Sequence, residues 1–236
     1  KFSIVIPSHK HLPDLLKPCL ESIKKFSDLS QIEVIVILNG CEKDGSREYI
    51  LSLGQPFKFW EYSEALGYLK ATNIGITHAT GNYIVLLNND VELLDQPKNQ
   101  WLDILSEPFK DPKVGITGPM KIPSQATGRD FLIFFCTCIK REIIDKIGML
   151  DEVFAPAFCE DIDFCHRAED AGYQIVQVCP TNEFHPDRHG THKEMVGIFP
   201  IYHKGNESYR HVKEFEELVS RNTKILAERY GKPHKP

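Results

Sequence analysis

The chain lacks a basic surplus. Its 28 Lys and Arg stand against 33 Asp and Glu, a formal net charge of −5. Binding a nucleic-acid backbone over a broad surface needs the opposite sign, so no nucleic-acid partner is expected. Long apolar runs are missing too. Runs such as Ile84–Leu87 and Phe131–Ile139 are far short of the roughly 20 residues a membrane-crossing helix needs. No transmembrane segment is expected, and no charged-then-apolar leader is seen at the start. Paired cysteine spacing is also absent: the 7 cysteines are odd in number and include no CxxC. That favours free buried thiols in a reducing compartment, hence a cytoplasmic location, with attachment to the inner face of a membrane left open. Cys136 and Cys138, two apart on an expected strand, face one way and read as packing residues.

What is present is enough core for one large domain or two fused halves: 236 residues, 42% hydrophobic. The chain opens at Lys1 rather than Met, which fits a trimmed chain or a domain of a larger protein. Apolar runs alternate with helix-spaced stretches. Strands are expected at Phe2–Ile6, Glu33–Leu38, Phe57–Tyr62 and Tyr83–Leu87. Helices are expected from Leu12 to Ile23, after Gly45-Ser46, and over Leu69–Ala79. Pro13 suits a first helical turn, while Pro18 should kink the helix or weaken its entry. Strands of near-continuous Val, Ile and Leu are buried on both faces. Their alternation with helices predicts parallel βαβ units over about the first 118 residues.

The later stretch is less regular. Val114–Gly118 and Tyr173–Val178 read as strands and Pro119–Asp130 as a loop. Phe131–Ile139 reads as one strand. Arg141–Ile147 and Asp161–Ala171 read as helices, each stopped by a glycine. Asp187–Asn206 shows no period. An amphipathic helix carrying Val212, Phe215, Val219, Leu226 and Tyr230 on one stripe closes the chain. Its mixed polar face predicts packing on the domain or a homodimer contact rather than a membrane surface. The division expected is 1–118, 119–205 and a terminal helix over 206–236, all within one continuous domain.

Four constellations carry chemistry. The strand ending at Leu87 delivers Asn88, Asn89 and a lone acid, Asp90, to its carboxyl end, where open α/β sheets bind ligands. Asp90 suits Mn2+ or Mg2+, hard ions that accept one or two carboxylates plus phosphate oxygens. Asn88 and Asn89 fix the turn or touch a sugar, and turn chemistry alone also explains the triplet. Glu160, Asp161 and Asp163 open a helix. Asp161 suits a general base. The helix dipole favours its ionised form and its acidic neighbours oppose it, and all three acids also read as first-turn capping. Glu160 and Asp163 could touch an acceptor or phosphate. His185-Pro186-Asp187-Arg188-His189-Gly190-Thr191-His192 matches no tetrahedral zinc spacing. Either it is a surface loop, or His185 completes the metal site and His189 meets an acceptor or phosphate. Asn39 follows a strand at the same mouth and fits a nucleobase edge or an Asn-Gly turn. Lys70 fits a phosphate or a solvated helix charge.

In order, these pieces resemble the family 2 glycosyltransferases of the GT-A fold. The matching stretches are Ser3–Ser8, Val36–Cys41, Ala71–Ile76, Gly81–Val91, Ile147–Phe154 and Glu160–Phe164 with Arg167 and Gly172. His185 and Arg221-Asn222 also fall where that family often has them. The resemblance implies a mostly parallel central sheet flanked by helices and a less regular acceptor half. It implies a nucleotide-diphosphate-sugar donor and a divalent metal. Asp90 looks like the last acid of a DxD-type motif reduced to Asn88-Asn89-Asp90, and Asp161 like the base of an ED motif. Pro7, Ser8, Asn39, Lys70 and Asn73 then belong to the donor-binding set. The implied reaction is inverting transfer to a glycan or lipid-linked acceptor, in polysaccharide biosynthesis. A UDP-sugar leads among donors, with thymidine and guanosine open because Asn39 stands where the family often has Asp. Two other readings compete. A sugar-phosphate nucleotidyltransferase would want a Gly-rich basic loop, which Ser8–Pro13 does not supply. A silent glycan- or nucleotide-binding module would not need Asp90, Asp161 and His185 together.

Overall fold

In a computed structural model, residues 1–40, 43–178, 199–205 and 215–231 are described. The elements run β1 (Phe2–Ser8), α1 (Lys17–Phe26), β2 (Ile32–Asn39), α2 (Ser46–Leu53), β3 (Phe57–Tyr62), α3 (Tyr68–His78), β4 (Tyr83–Leu87), β5 (Val91–Leu93) and α4 (Gln100–Ser106). They continue with β6 (Val114–Gly118), β7 (Lys121–Pro123), β8 (Asp130–Leu132), β9 (Cys136–Lys140), α5 (Arg141–Ile147), α6 (Glu160–Asp170), β10 (Gln174–Gln177), β11 (Ile201–His203) and α7 (Phe215–Tyr230).

A 7-stranded sheet in the order β10-β6-β9-β4-β1-β2-β3 forms the centre. β1 pairs in parallel with both β2 and β4, while β9 runs antiparallel between β4 and β6. Alternate residues of each strand feed cores on opposite faces. Ile4, Ile6, Val34 and Val36 pack with α1 and α4; Val5, Ile35 and Ile37 pack with α3, α5 and α6. This two-sided burial explains why the early strands have no polar alternation. Leu226 of α7 is fully buried in the second core, so the terminal helix packs on the domain. Among the described residues, no helix is long and apolar enough to cross a membrane.

Four details differ from expectation. The expected single helix is split: a wide π turn over Leu12–Leu16 precedes α1, which starts at Lys17 with Pro18 in its first turn. Pro119–Asp130 is not all loop: β7 and β8 pair as a short hairpin. The run 131–139 is broken rather than continuous. Ile133 N–H bonds Met120 O and Phe135 N–H bonds Ile133 O, which turns the chain between β8 and β9. β11 lies in the segment without period and pairs antiparallel with β5. Among the described residues, five cysteines are free and buried, Cys136 and Cys138 in one core.

Candidate functional site

From β1 the chain goes to β2 and β3 on one side, then returns to place β4 on the other. Such a reversal leaves a crevice at the carboxyl ends of the two central strands. The ladders show the split. β1 stays paired with β2 to Ser8↔Leu38, but its pairing with β4 stops at Val5↔Leu86. Pro7 tolerates this because it faces only one partner strand and loses no ladder bond there. Beyond the split lies a cavity of about 470 Å³.

That cavity gathers most of the expected residues. Pro7, Ser8 and Asn39 line it from β1 and β2, Asn88, Asn89 and Asp90 from the end of β4, and Glu160 and Asp161 from α6. Apolar walls come from Ile133–Phe135 and Pro156–Phe158. The turn after β4 is fastened on both sides. Asn88 N–H donates to Phe135 O at 2.9 Å, and Asn89 Nδ2 donates to Ser8 Oγ at 3.1 Å.

Asp90 is nearly buried. Gly205 N–H donates to its Oδ2 at 3.1 Å, and Lys204 N–H to its backbone oxygen at 3.1 Å. The β5–β11 pairing sets His203 opposite Val91, and His203 Nε2 stands 3.2 Å from Asp90 Oδ1. The approach lacks hydrogen-bond geometry, so both atoms are buried without a hydrogen-bond partner. The His203 ring stacks on Phe135 at 4.4 Å and 5°. Asn88 Oδ1 is also buried and unpartnered on the same wall. Unpaired buried polar atoms are costly unless a ligand answers them. A carboxylate and an imidazole nitrogen meet the needs of a divalent ion whose other ligands are phosphate oxygens and water, and imidazole favours a transition ion such as Mn2+ over Mg2+. Among the described residues, no three His, Cys, Asp or Glu side chains converge on one point.

Across the cavity, burial raises the pKa of Asp161, partly offset by backbone N–H groups such as Ile162 N–H at 2.9 Å. Glu160 rises further, from burial and then from the charge of Asp161, and its Oε2 is unpartnered. The two acids titrate as a pair, with Glu160 the one that keeps a proton longer. Phe158 and Cys159, just before them, have φ of 73° and 72°. Each such non-glycine residue costs about 1–2 kcal/mol.

Other expected residues stand elsewhere. Lys70 is exposed and outside the cavity wall. Asn73 is buried behind it, tying α3 to Leu150: Nδ2 donates to Leu150 O at 2.9 Å and Oδ1 accepts from Leu150 N–H at 3.1 Å. Asp163 faces α7, held by Arg167, Arg229 and Tyr230 at 2.7–2.8 Å. Asn39 lines the cavity, but its amide is engaged by the Leu66 N–H and Gly67 O. His185 and His189 lie outside the described residues. His203 was not anticipated, and neither was His9, whose Nδ1 is 2.6 Å from Asn39 O. No pattern announced His203: Phe199-Pro200-Ile201-Tyr202-His203 shows no alternation, and all five residues are buried.

A model of glycosyl transferase family 2 matches residues 3–152. The O-antigen biosynthesis protein RfbC of Myxococcus xanthus is 23% identical over 78% of this chain and 17% of its own length. The chain spans less than a quarter of the curated relatives it matches. Among solved structures, the mannosyltransferase PcManGT from Pyrobaculum calidifontis, in complex with GDP-Man and Mn2+, superposes with a TM-score of 0.61 at 20% identity. It covers 75% of this chain and 54% of that one. GalNAc-T7 with UDP, GalNAc and Mn2+ gives 0.64 at 15% identity, covering 74% and 41%. The α/β architecture is that of the GT-A fold.

Proposed function

The chain belongs to glycosyl transferase family 2, and on that premise we propose that it transfers a sugar, with inversion, from a nucleoside-diphosphate donor to a hydroxyl of a glycan or lipid-linked acceptor in polysaccharide assembly. One observation carries this: Asp90 and Asp161 line a single cavity at the carboxyl ends of β1 and β4. The Mn2+ and nucleotide ligands of PcManGT and GalNAc-T7 and the name of RfbC support it. A UDP-sugar is the proposed donor, and the proposed division is a donor half at 1–118, an acceptor half at 119–205 and a terminal segment at 206–236 that carries α7 (Phe215–Tyr230).

Asp90 and His203 would hold Mn2+, with Mg2+ second. When bound, such an ion neutralises the charge that develops on a departing diphosphate. Asp161, ionised, takes the proton from the acceptor hydroxyl as its oxygen bonds to the anomeric carbon. The bond to the diphosphate oxygen breaks on the opposite face, and the electron pair leaves with the nucleotide. Glu160, protonated beside it, adds no second negative charge to the site. The apolar walls exclude water and strengthen these interactions.

Screening UDP-, GDP- and dTDP-sugars for Mn2+-stimulated hydrolysis, with wild type beside Asp161→Asn, tests the proposal. The variant should lose about 10²–10⁴-fold in rate while UDP binding, read by calorimetry, persists. Near-full activity in Asp161→Asn removes the base from this account.

A further inference from the structure

The turn that leads into Glu160 and Asp161 is gripped from behind by the terminal helix. Asn222 of α7 is fully buried, and its Nδ2 lies 2.9 Å from Phe154 O, 2.9 Å from Ala157 O and 2.8 Å from Phe158 O. An amide nitrogen has two protons, so at least one is shared between carbonyls. Its neighbour fixes which way the amide faces. Arg221 Nε donates to Asn222 Oδ1 at 2.9 Å, and Arg221 Nη2 donates to Ala155 O. The remaining carbonyl, Pro156 O, accepts from Leu69 N–H of α3 at 3.0 Å. Every backbone oxygen from Phe154 to Phe158 is therefore engaged, four of the five by two adjacent side chains of one helix.

The other side of the turn has no slack either. A Cβ on Gly67 would meet Pro156 Cβ at 2.5 Å. Gly67 O in turn accepts from Asn39 Nδ2 at 3.2 Å. Between these supports, Phe158 and Cys159 sit in left-handed backbone, a conformation that persists only where its surroundings over-determine it. Those two residues swing the chain so that α6 starts with Glu160 and Asp161 in the cavity wall.

We propose that Asn222, oriented by Arg221, is a positioning residue for the proton acceptor: by locking the 154–158 turn it fixes where Asp161 sits, which makes the terminal helix a working part of the active site. The proposal rests on Asp161 being the base. It predicts that loosening the grip moves the carboxylate more than the donor, because the hydrogen bonds of Asn222 all go to this turn or come from Arg221.

The test compares Asn222→Ala and Arg221→Ala with a Lys224→Ala control, each in the full chain and verified as folded by circular dichroism. Lys224 lies on the exposed side of α7. The first readout is the titration of the Asp161 carboxyl by ¹³C NMR, assigned by its disappearance in Asp161→Asn. Around it stand Glu160 on the same helix and His9, Tyr68, Asp90 and His203 from the other walls, none of them altered. The midpoint should fall toward the ordinary carboxylate range as water reaches the loosened turn, more in Asn222→Ala than in Arg221→Ala and not at all in the control. The second readout is hydrolysis of the nucleotide sugar taken from the screen: kcat should drop about 10–100-fold with KM unchanged. A helix that only stabilises the fold would lower the melting temperature and leave the titration alone. If Asn222→Ala does not fold, the exposed Arg221 site decides. An unmoved titration in the folded variants overturns the proposal whatever the rate. Activity surviving in Asp161→Asn would instead remove the base, and the titration would still report on the turn.

Discussion

The two ends of the central sheet bury acids in opposite ways. At the amino end, Glu33 of β2 is almost fully buried. It accepts from Ser3 Oγ at 2.6 Å, Thr80 N–H and Oγ1 at 2.7 Å each, and Lys58 Nζ at 3.0 Å. Burial by itself would raise its pKa, but these donors outweigh it and hold the carboxyl at about 2. The network is closed further by Gly81 N–H to Ser3 Oγ at 2.7 Å, and a Cβ on Gly81 would come within 2.7 Å of Lys1 O. At the carboxyl end, Asp90, Glu160 and His203 are also buried, yet each keeps an unpartnered atom, and burial lifts Glu160 and Asp161. One acid has been given every donor it can use. The others have been left open, as a site needs when its missing partners arrive with the substrate.

Substitutions at the two ends should therefore diverge. The largest effect on stability belongs to Glu33→Gln, which leaves Lys58 and the Thr80 and Ser3 donors facing the wrong group. Unfolding free energy from urea titration should fall by about 3 kcal/mol, with the rate per folded molecule kept. The pH dependence has a fixed sign. Because the folded pKa is depressed, the Glu33 contribution is complete above the unfolded value and is lost as pH falls from there through about 2. Glu33→Gln should flatten that acid slope. Equal slopes in wild type and variant would break the comparison.

Glu160→Gln should do the reverse, and less. Its folded pKa is raised, so the folded protein binds the extra proton and loses stability as pH rises above the ordinary carboxylate range. The variant should match wild type at pH 4 and exceed it at pH 8 by on the order of 1 kcal/mol. A loss of stability at pH 8 would mean that Glu160 is paired as Glu33 is.

Much of this was legible in the sequence, for physical reasons that differ by region. Glu33–Leu38 and Tyr83–Leu87 read as strands because burial on both faces demands near-continuous apolar runs. Asp90 and Asp161 were legible because each stands at the end of an element that reaches the cavity, Asp90 three residues past β4 and Asp161 second in α6. The position of His203 was not, since it depends on three-residue strands, β5 and β11, that meet across more than a hundred residues. The β7–β8 hairpin was hidden for the same reason: three-residue strands in a Pro- and Gly-rich stretch have no visible period. Asp163 could have been set aside from helix geometry alone. Two residues past Asp161 is about 200° around the helix, which turns it to Arg229 and Tyr230. Asn73 misled because a residue fixed in a motif can serve packing: its amide binds both the N–H and the oxygen of Leu150.

The central claim is that one cleft holds a cation at Asp90 and His203 opposite a proton acceptor at Asp161. A crystal structure of the full chain with UDP and Mn2+ addresses it most directly. The account predicts Mn2+ bonded to the Asp90 carboxylate and to His203 Nε2, bridging to the diphosphate, with the Asp161 carboxylate free across the same cavity. Mn2+ bound away from Asp90, or UDP lodged outside the crevice between β1 and β4, would contradict it.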